Sequence, residues 1–328
     1  MNIIVAGLLN KIRCYSSKAI GTGLTILMLI TATSLHAENS TQYHVGILSP
    51  VEGKIYNNFT KTLSGKLASL ASENNINVIV HLHKNNKELH SQDNHLVVTV
   101  GSRSAKEYVS RKNSAPAILS LLPRHVIDDR EIVITDDSIQ TVYADFPAEQ
   151  YLLLAHLGIP GKKRIGTILG PHSSKHKNSL SIMAKELGIE LVVAEVQHQR
   201  QIASTLNKLA SNVDVFLAIP DQLVHNRQTA RTILLTSYRH NIPVVAYSKA
   251  YVNAGASISL YAAPEDVAKK TAQHVIHTLL GKKIDKCSDY DVVSVLKNNH
   301  VSNMLDIKLG STNKLREKIR LSLEACDQ

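Results

Sequence analysis

The chain has 328 residues, with 37 Lys and Arg against 27 Asp and Glu for a formal net charge of +10. That length suits two domains of ordinary size. The basic residues are scattered and form no stripe interleaved with aromatics, which argues against a nucleic-acid surface and for a solvated basic one.

Residues 1–37 carry Lys11, Arg13 and Lys18 and no acid, then an uncharged run from Ile20 to Leu35, then His36-Ala37-Glu38. This order predicts a cleavable secretory signal over 1–37, and hence a periplasmic protein. The 16 uncharged residues fall short of a membrane span, which needs roughly 20. An uncleaved anchor is the alternative, because Leu35 suits a cut after Ala37 poorly; Ala32 and Ser34 offer another cut. Cys14 precedes the apolar core, so nothing indicates a lipoprotein. Cleavage leaves 291 residues near +7, with Cys287 and Cys326 as one disulfide or two free thiols. No later segment is apolar enough to span a membrane.

Next come alternating β-rich runs and amphipathic stretches. Strands are predicted at 44–48, 77–82, 95–100 and 116–122, with a helix over 54–74 whose Leu63, Leu67, Leu70 and Ala71 share a face. The run 138–146 leads through Pro147 into a helix, and the pattern then restarts. Strands follow at 164–169, 190–196, 214–219 and 243–248, with helices at 179–187, 202–209 and 228–240 between them. A helix at 264–280, a strand at 291–296 and a helix at 314–323 complete the chain. The repeated βα order predicts an α/β fold of two doubly wound parallel-sheet lobes. Lobe 1 is expected to hold 43–142 plus 249–285, and lobe 2 to hold 143–248 plus 286–328, with several crossovers forming a hinge.

Residues 219–283, IPDQLVHNRQTARTILLTSYRHNIPVVAYSKAYVNAGASISLYAAPEDVAKKTAQHVIHTLLGKK, resemble the ABC transporter substrate-binding family related to the tryptophan and tyrosine uptake proteins. The features are the Pro-Asp pair, the helix into IPVV, Ser248, the VNAGA turn and the terminal LLGKK. GKKRIGTILGP at 161–171 and NNHVSNMLDIKLGSTNKLREKI at 298–319 are similar to the family's approach to lobe 2 and its closing segment. The resemblance implies a type I periplasmic-binding-protein-like fold, capture of an amino acid or small carboxylate, and an inner-membrane ABC permease as partner. Family members commonly carry an Asp-Pro and glycine-rich segment after the fourth strand, whereas this chain has LLPRHVIDDREIVITDD at 121–137, so the resemblance does not carry the family's lobe 1 contacts over to this chain.

Ligands of doubly wound folds meet the carboxyl ends of the strands. Ser49 follows the first strand; Gly101, Ser102 and Arg103 follow the third, where backbone N–H groups, a hydroxyl and a guanidinium favour a carboxylate. The competing reading of Ser102 is a plain N-cap. In lobe 2 the strand ends carry His172, Ser173, Asp221 and Ser248. The resemblance implies that Asp221 takes a ligand ammonium; otherwise it caps the next helix. Tyr251 and Tyr247 bracket Ser248, as ligand-packing or half-buried hinge residues. His81 with His83 and His172 with His176 have the spacing of paired metal ligands, but no supporting motif accompanies them, so no metal and no cofactor is expected. No catalytic motif appears either, and a non-enzymatic monomer is expected. The main rival is a periplasmic sensor or partner-binding protein that presents its closed form to a membrane kinase or outer-membrane receptor.

Overall fold

The computed structural model describes residues 41–49, 53–85, 89, 94–111, 115–282 and 293–325. The signal segment, Cys287 and Cys326 lie outside them. From Thr41 the chain forms one unit. In chain order its elements are β1 (Gln42–Leu48), α1 (Lys54–Glu73), β2 (Asn77–His83), β3 (Leu96–Val100), α2 (Gly101–Ser110), β4 (Ala117–Leu122), α3 (Arg124–Asp128) and β5 (Ile139–Tyr143). After a first crossover come α4 (Ala148–Gly158), β6 (Arg164–Leu169), α5 (Lys177–Glu186), β7 (Glu190–Glu195), α6 (Ile202–Ala210), β8 (Val215–Leu217), α7 (Arg227–Arg239), β9 (Val244–Ala246), α8 (Lys249–Asn253) and β10 (Ile258–Ala262). The last are α9 (Pro264–Leu279), β11 (Val293–Lys297), α10 (Asn299–Met304) and α11 (Thr312–Ala325). None of the described helices is long and apolar enough to cross a membrane.

Lobe 1 is a parallel sheet of order β2-β1-β3-β4-β5. Its central β3 is buried along its whole length, which is why it reads as an unbroken apolar run instead of an alternating one. Lobe 2 is a sheet of order β11-β10-β9-β8-β6-β7, parallel except where β10 meets β11. Here the expected boundary at 249 needs correction. β10 pairs with β9 and buries Ile258 and Leu260 in the lobe 2 core, so 249–262 belong with lobe 2. The buried Ser259 within it, and the buried Ser257 just before it, hide this strand from a hydrophobicity pattern.

The chain returns to lobe 1 only at Pro264. Val267, Ala268, Ala272, Val275 and Ile276 of α9 share one core with Phe59, Leu63 and Leu67 of α1, and Thr271 Oγ1 lies 2.6 Å from Ser120 Oγ of β4. Between Lys282 and Val293 the chain passes back to lobe 2, where Leu315, Ile319 and Leu323 of α11 pack with Leu152 and Ala155 of α4. Three crossovers thus join the lobes.

Candidate functional site

A cleft of ≈ 720 Å³ opens between the lobes, within the range of about 300–1,000 Å³ usual for small-molecule sites. Pro123, His125 and Asp145 line it from lobe 1; His172, Tyr247 and Ser248 face them from lobe 2. Asp145, in the first crossover, and Tyr261 and Pro264, at the second, form part of its wall, so two of the crossovers contribute to the cleft's own lining.

The lobe 1 wall depends on a bulge. The register of β4 on β5 slips between Ser120 and Leu122, and Leu121 takes a φ of 54°, a conformation that side chains rarely adopt. Bulges re-aim the residues that follow them, here Pro123 and the short α3. The backbone N–H of Arg124 then donates to Asp145 Oδ1 at 2.9 Å, and the Arg124 guanidinium lies 4.2 Å over the Tyr143 ring. Burial pushes the Asp145 carboxyl up to about 6, against the opposing pull of Arg124. Apart from Arg124 and its own backbone N–H, no described residue is seen to donate to this carboxylate. The cleft therefore holds a carboxylate with few protein donors.

The sequence candidates divide. His172, Asp221 and Ser248 line the cleft, but Asp221 is saturated. Its Oδ2 accepts from the N–H of His172, the N–H of Ser173 and Ser173 Oγ; its Oδ1 accepts from the N–H groups of Leu223 and Val224. Five donors exceed the roughly four lone-pair positions of a carboxylate, so Asp221 is spent on closing two loops; the expected helix cap needs correction, because 222–224 form a turn and the next helix, α7, is capped by Asn226. Gly170 is required beneath it, since a Cβ there would meet Asp221 Oδ1 at 2.5 Å. Ser173 is fully buried and bound to Asp221, beneath the cleft surface. Ser248 caps α8 by accepting from the N–H of Tyr251 at 3.2 Å. Tyr251 stands behind the cleft, its hydroxyl 3.0 Å from His225 Nδ1.

Ser49, Gly101, Ser102 and Arg103 are not part of the described cleft lining. Gly101 does need its positive φ of 79°, but its open side is covered by the Tyr56 ring, 3.2 Å from where a Cβ would stand. Val100, not Ser102, occupies the cap position of α2, and no side chain caps it. Arg103 is exposed. Among the described residues the helix start is packed against Tyr56 of α1 and has no side-chain cap.

Sequence reasoning missed Asp145, His125 and His225. Asp145 sits in YADFP, where the Asp before Phe-Pro is the one legible signal. His225 packs against Tyr247 and Tyr251, with ring centroids 5.7 Å away in each case, and burial drives its imidazole down to about 4, keeping it neutral. The departing segment at 121–137 also has a visible role. Asp129 Oδ2 meets His172 Nδ1 of the other lobe at 2.8 Å, and Lys175 pairs with Asp129 and Asp128. Hydrogen bonds from Lys175 and His172 outweigh burial and hold Asp129 below the usual carboxylate range. This ion cluster ties lobe to lobe at the rim.

The paired histidines find other partners. His44 Nδ1 lies 3.0 Å from His81 Nε2, in a stack that His95 joins, while His172 is engaged by Asp129. Among the described residues no group of three His, Cys, Asp or Glu side chains is placed to hold a metal ion.

Residues 58–311 match the model of a family described as ABC transporter substrate binding protein. No curated protein matches the chain. Among solved structures it is similar to an ABC domain from Streptococcus pneumoniae in complex with L-Trp, at 18% identity and a TM-score of 0.52, covering 82% of this chain and 96% of that one. A substrate-binding protein with adhesive properties from Clostridium difficile, in its ligand-free, open form, gives a TM-score of 0.62 at 16% identity, covering 81% and 95%. A conserved domain protein from Vibrio cholerae gives 0.53 at 19% identity, covering 84% and 98%. At these identities the likeness establishes the fold.

Proposed function

The chain belongs to the ABC transporter substrate-binding protein family, and on that premise we propose that it captures an amino acid with an apolar side chain in the periplasm for an inner-membrane ABC permease. Asp145 carries this reading. A carboxylate held in a cleft wall with its proton affinity raised by burial is relieved by a cation brought by the ligand. A ligand ammonium supplies that charge, and Tyr247, Tyr261 and Ala262 offer apolar surface beside it. The L-Trp complex of the Streptococcus pneumoniae domain makes aromatic amino acids the first ligands to try. Export rests on the basic and apolar order of residues 1–37.

The test is calorimetric titration of the mature protein with L-tryptophan, L-tyrosine, L-leucine and indole-3-propionate. An amino acid should bind one per chain, and indole-3-propionate, which lacks the ammonium, should not. Asp145→Asn should weaken binding by at least about tenfold, the 1.4 kcal/mol scale of one charge-assisted contact. Binding of the amine-free acid as tightly as an amino acid, or full affinity in Asp145→Asn, would overturn the proposal.

A further inference from the structure

Lobe 2 contains a second cavity, of ≈ 680 Å³, on the other side of the cleft wall. His225, Tyr247 and Ser248 line both spaces. The flank pocket lies between α7 and α8, with Val301 of α10 at one edge. Helical spacing puts Ala230, Leu234 and Tyr238 on one face of α7, and Ala254 and Gly255 keep the opposite wall shallow. Leu235 and Tyr238 remain 48% and 43% exposed beside Met304, itself 55% exposed. Such clustering of large apolar groups at a concavity marks a binding surface more than isolated exposure does.

Two further observations specify chemistry. Arg227 and Arg231 stand one helical turn apart on the pocket's margin, and neither has an ion-pair partner among the described residues. The first turn of α7 contains no acid, so the adjacent helix start adds to their positive field. On the inner wall, His225 is 9% exposed, and its Nε2 is buried with no hydrogen-bond partner in the described structure. Burial keeps that imidazole neutral, so the inner wall presents rings and no charge, in contrast to the two guanidiniums at the margin.

We propose that this flank pocket is a second binding site, selective for an anionic amphiphile: a carboxylate on a hydrocarbon chain. The two guanidiniums hold the carboxylate, for which their planar forks are suited. The chain lies along Leu234, Leu235 and Tyr238, its uncharged end toward the neutral ring of His225. Size and charge both favour this occupant over a cation or a free inorganic anion, neither of which would use the apolar wall.

The probe is decanoate, titrated calorimetrically into protein purified after expression of the full-length chain, with decylamine as the charge-reversed control. Decanoate should bind one per chain, with decylamine at least about tenfold weaker. Arg227→Ala/Arg231→Ala, both exposed positions, should weaken decanoate by a similar factor while leaving amino-acid titration of the cleft unchanged. Ala254→Trp, which fills the pocket from an exposed position, should abolish decanoate binding. Equal binding of decylamine, no saturable binding, or full affinity for decanoate in both variants would overturn the proposal, whatever the cleft itself binds. A response only to an amphipathic peptide, and none to decanoate, would also overturn it and would make the pocket a protein-docking groove.

Discussion

Asp221 and Asp145 show how one residue type takes opposite parts within a single cleft. Asp221 is enclosed by five donors, three of them on a loop from β6 and two at the turn after β8, and so joins two strand ends. Asp221→Ala leaves those buried N–H groups unpaired. It should lower the unfolding free energy of the ligand-free protein by about 3 kcal/mol in urea titration; an unchanged midpoint would return Asp221 to the ligand. Asp145 is short of partners, and its pH signature follows. Its folded pKa of about 6 lies above the ordinary 3.8, so the folded state retains a proton that the unfolded state releases. Its stabilising contribution is complete below about 3.8 and is lost as pH rises through about 6. Asp145→Asn should therefore flatten the decline in melting temperature over that window, and a variant with an unaltered profile would place the carboxyl in an ordinary, solvated setting.

Among elements, the segment from Leu121 to Asp137 has the largest consequence. The bulge at Leu121 turns α3 toward the second lobe, where Asp128 and Asp129 meet His172 and Lys175. These groups are partly exposed, and an ion pair of this kind contributes about 0.2–1 kcal/mol, enough to shift an open–closed equilibrium severalfold. Asp129→Asn should lower affinity for the cleft ligand by up to about fivefold. Raising NaCl from about 0.05 to 0.5 M should weaken wild type and leave the variant nearly unaffected, through screening. Equal salt dependence in both would show that the cluster does not bias closure. Most strands and long helices were legible in the sequence, because parallel strands buried on both faces and one-sided helices have distinct periods. β10 was not, since buried serines interrupt its apolar pattern, and α3, α8 and α10 are too short for periodicity to declare. Site residues were less legible still. Strand ends pointed to the cleft, but whether a polar side chain faces it or turns to a neighbouring loop depends on tertiary partners, and so Ser173 and Asp221 are tied to each other while Asp145, in a crossover, lines the cleft.

At the scale of the molecule, lobe 1 is discontinuous. α9 follows a lobe 2 strand, yet it covers the face of α1 that carries Phe59, Leu63 and Leu67. Burying Val267, Val275 and Ile276 contributes about 5 kcal/mol or more at roughly 1.5–3 kcal/mol per side chain, comparable with the entire stability of a small domain, about 5–15 kcal/mol. The first five strands and their helices therefore do not amount to a folding unit, although they make a complete sheet. A fragment of residues 41–146 should show poor amide dispersion in its NMR spectrum and no cooperative melt. Adding 264–279 by a flexible linker after residue 146 should restore both. A cooperatively folded 41–146 fragment would show that α9 is an accessory; failure without α9 and recovery with it would show that the lobes become independent bodies only after the chain has crossed between them, which couples hinge integrity to folding itself.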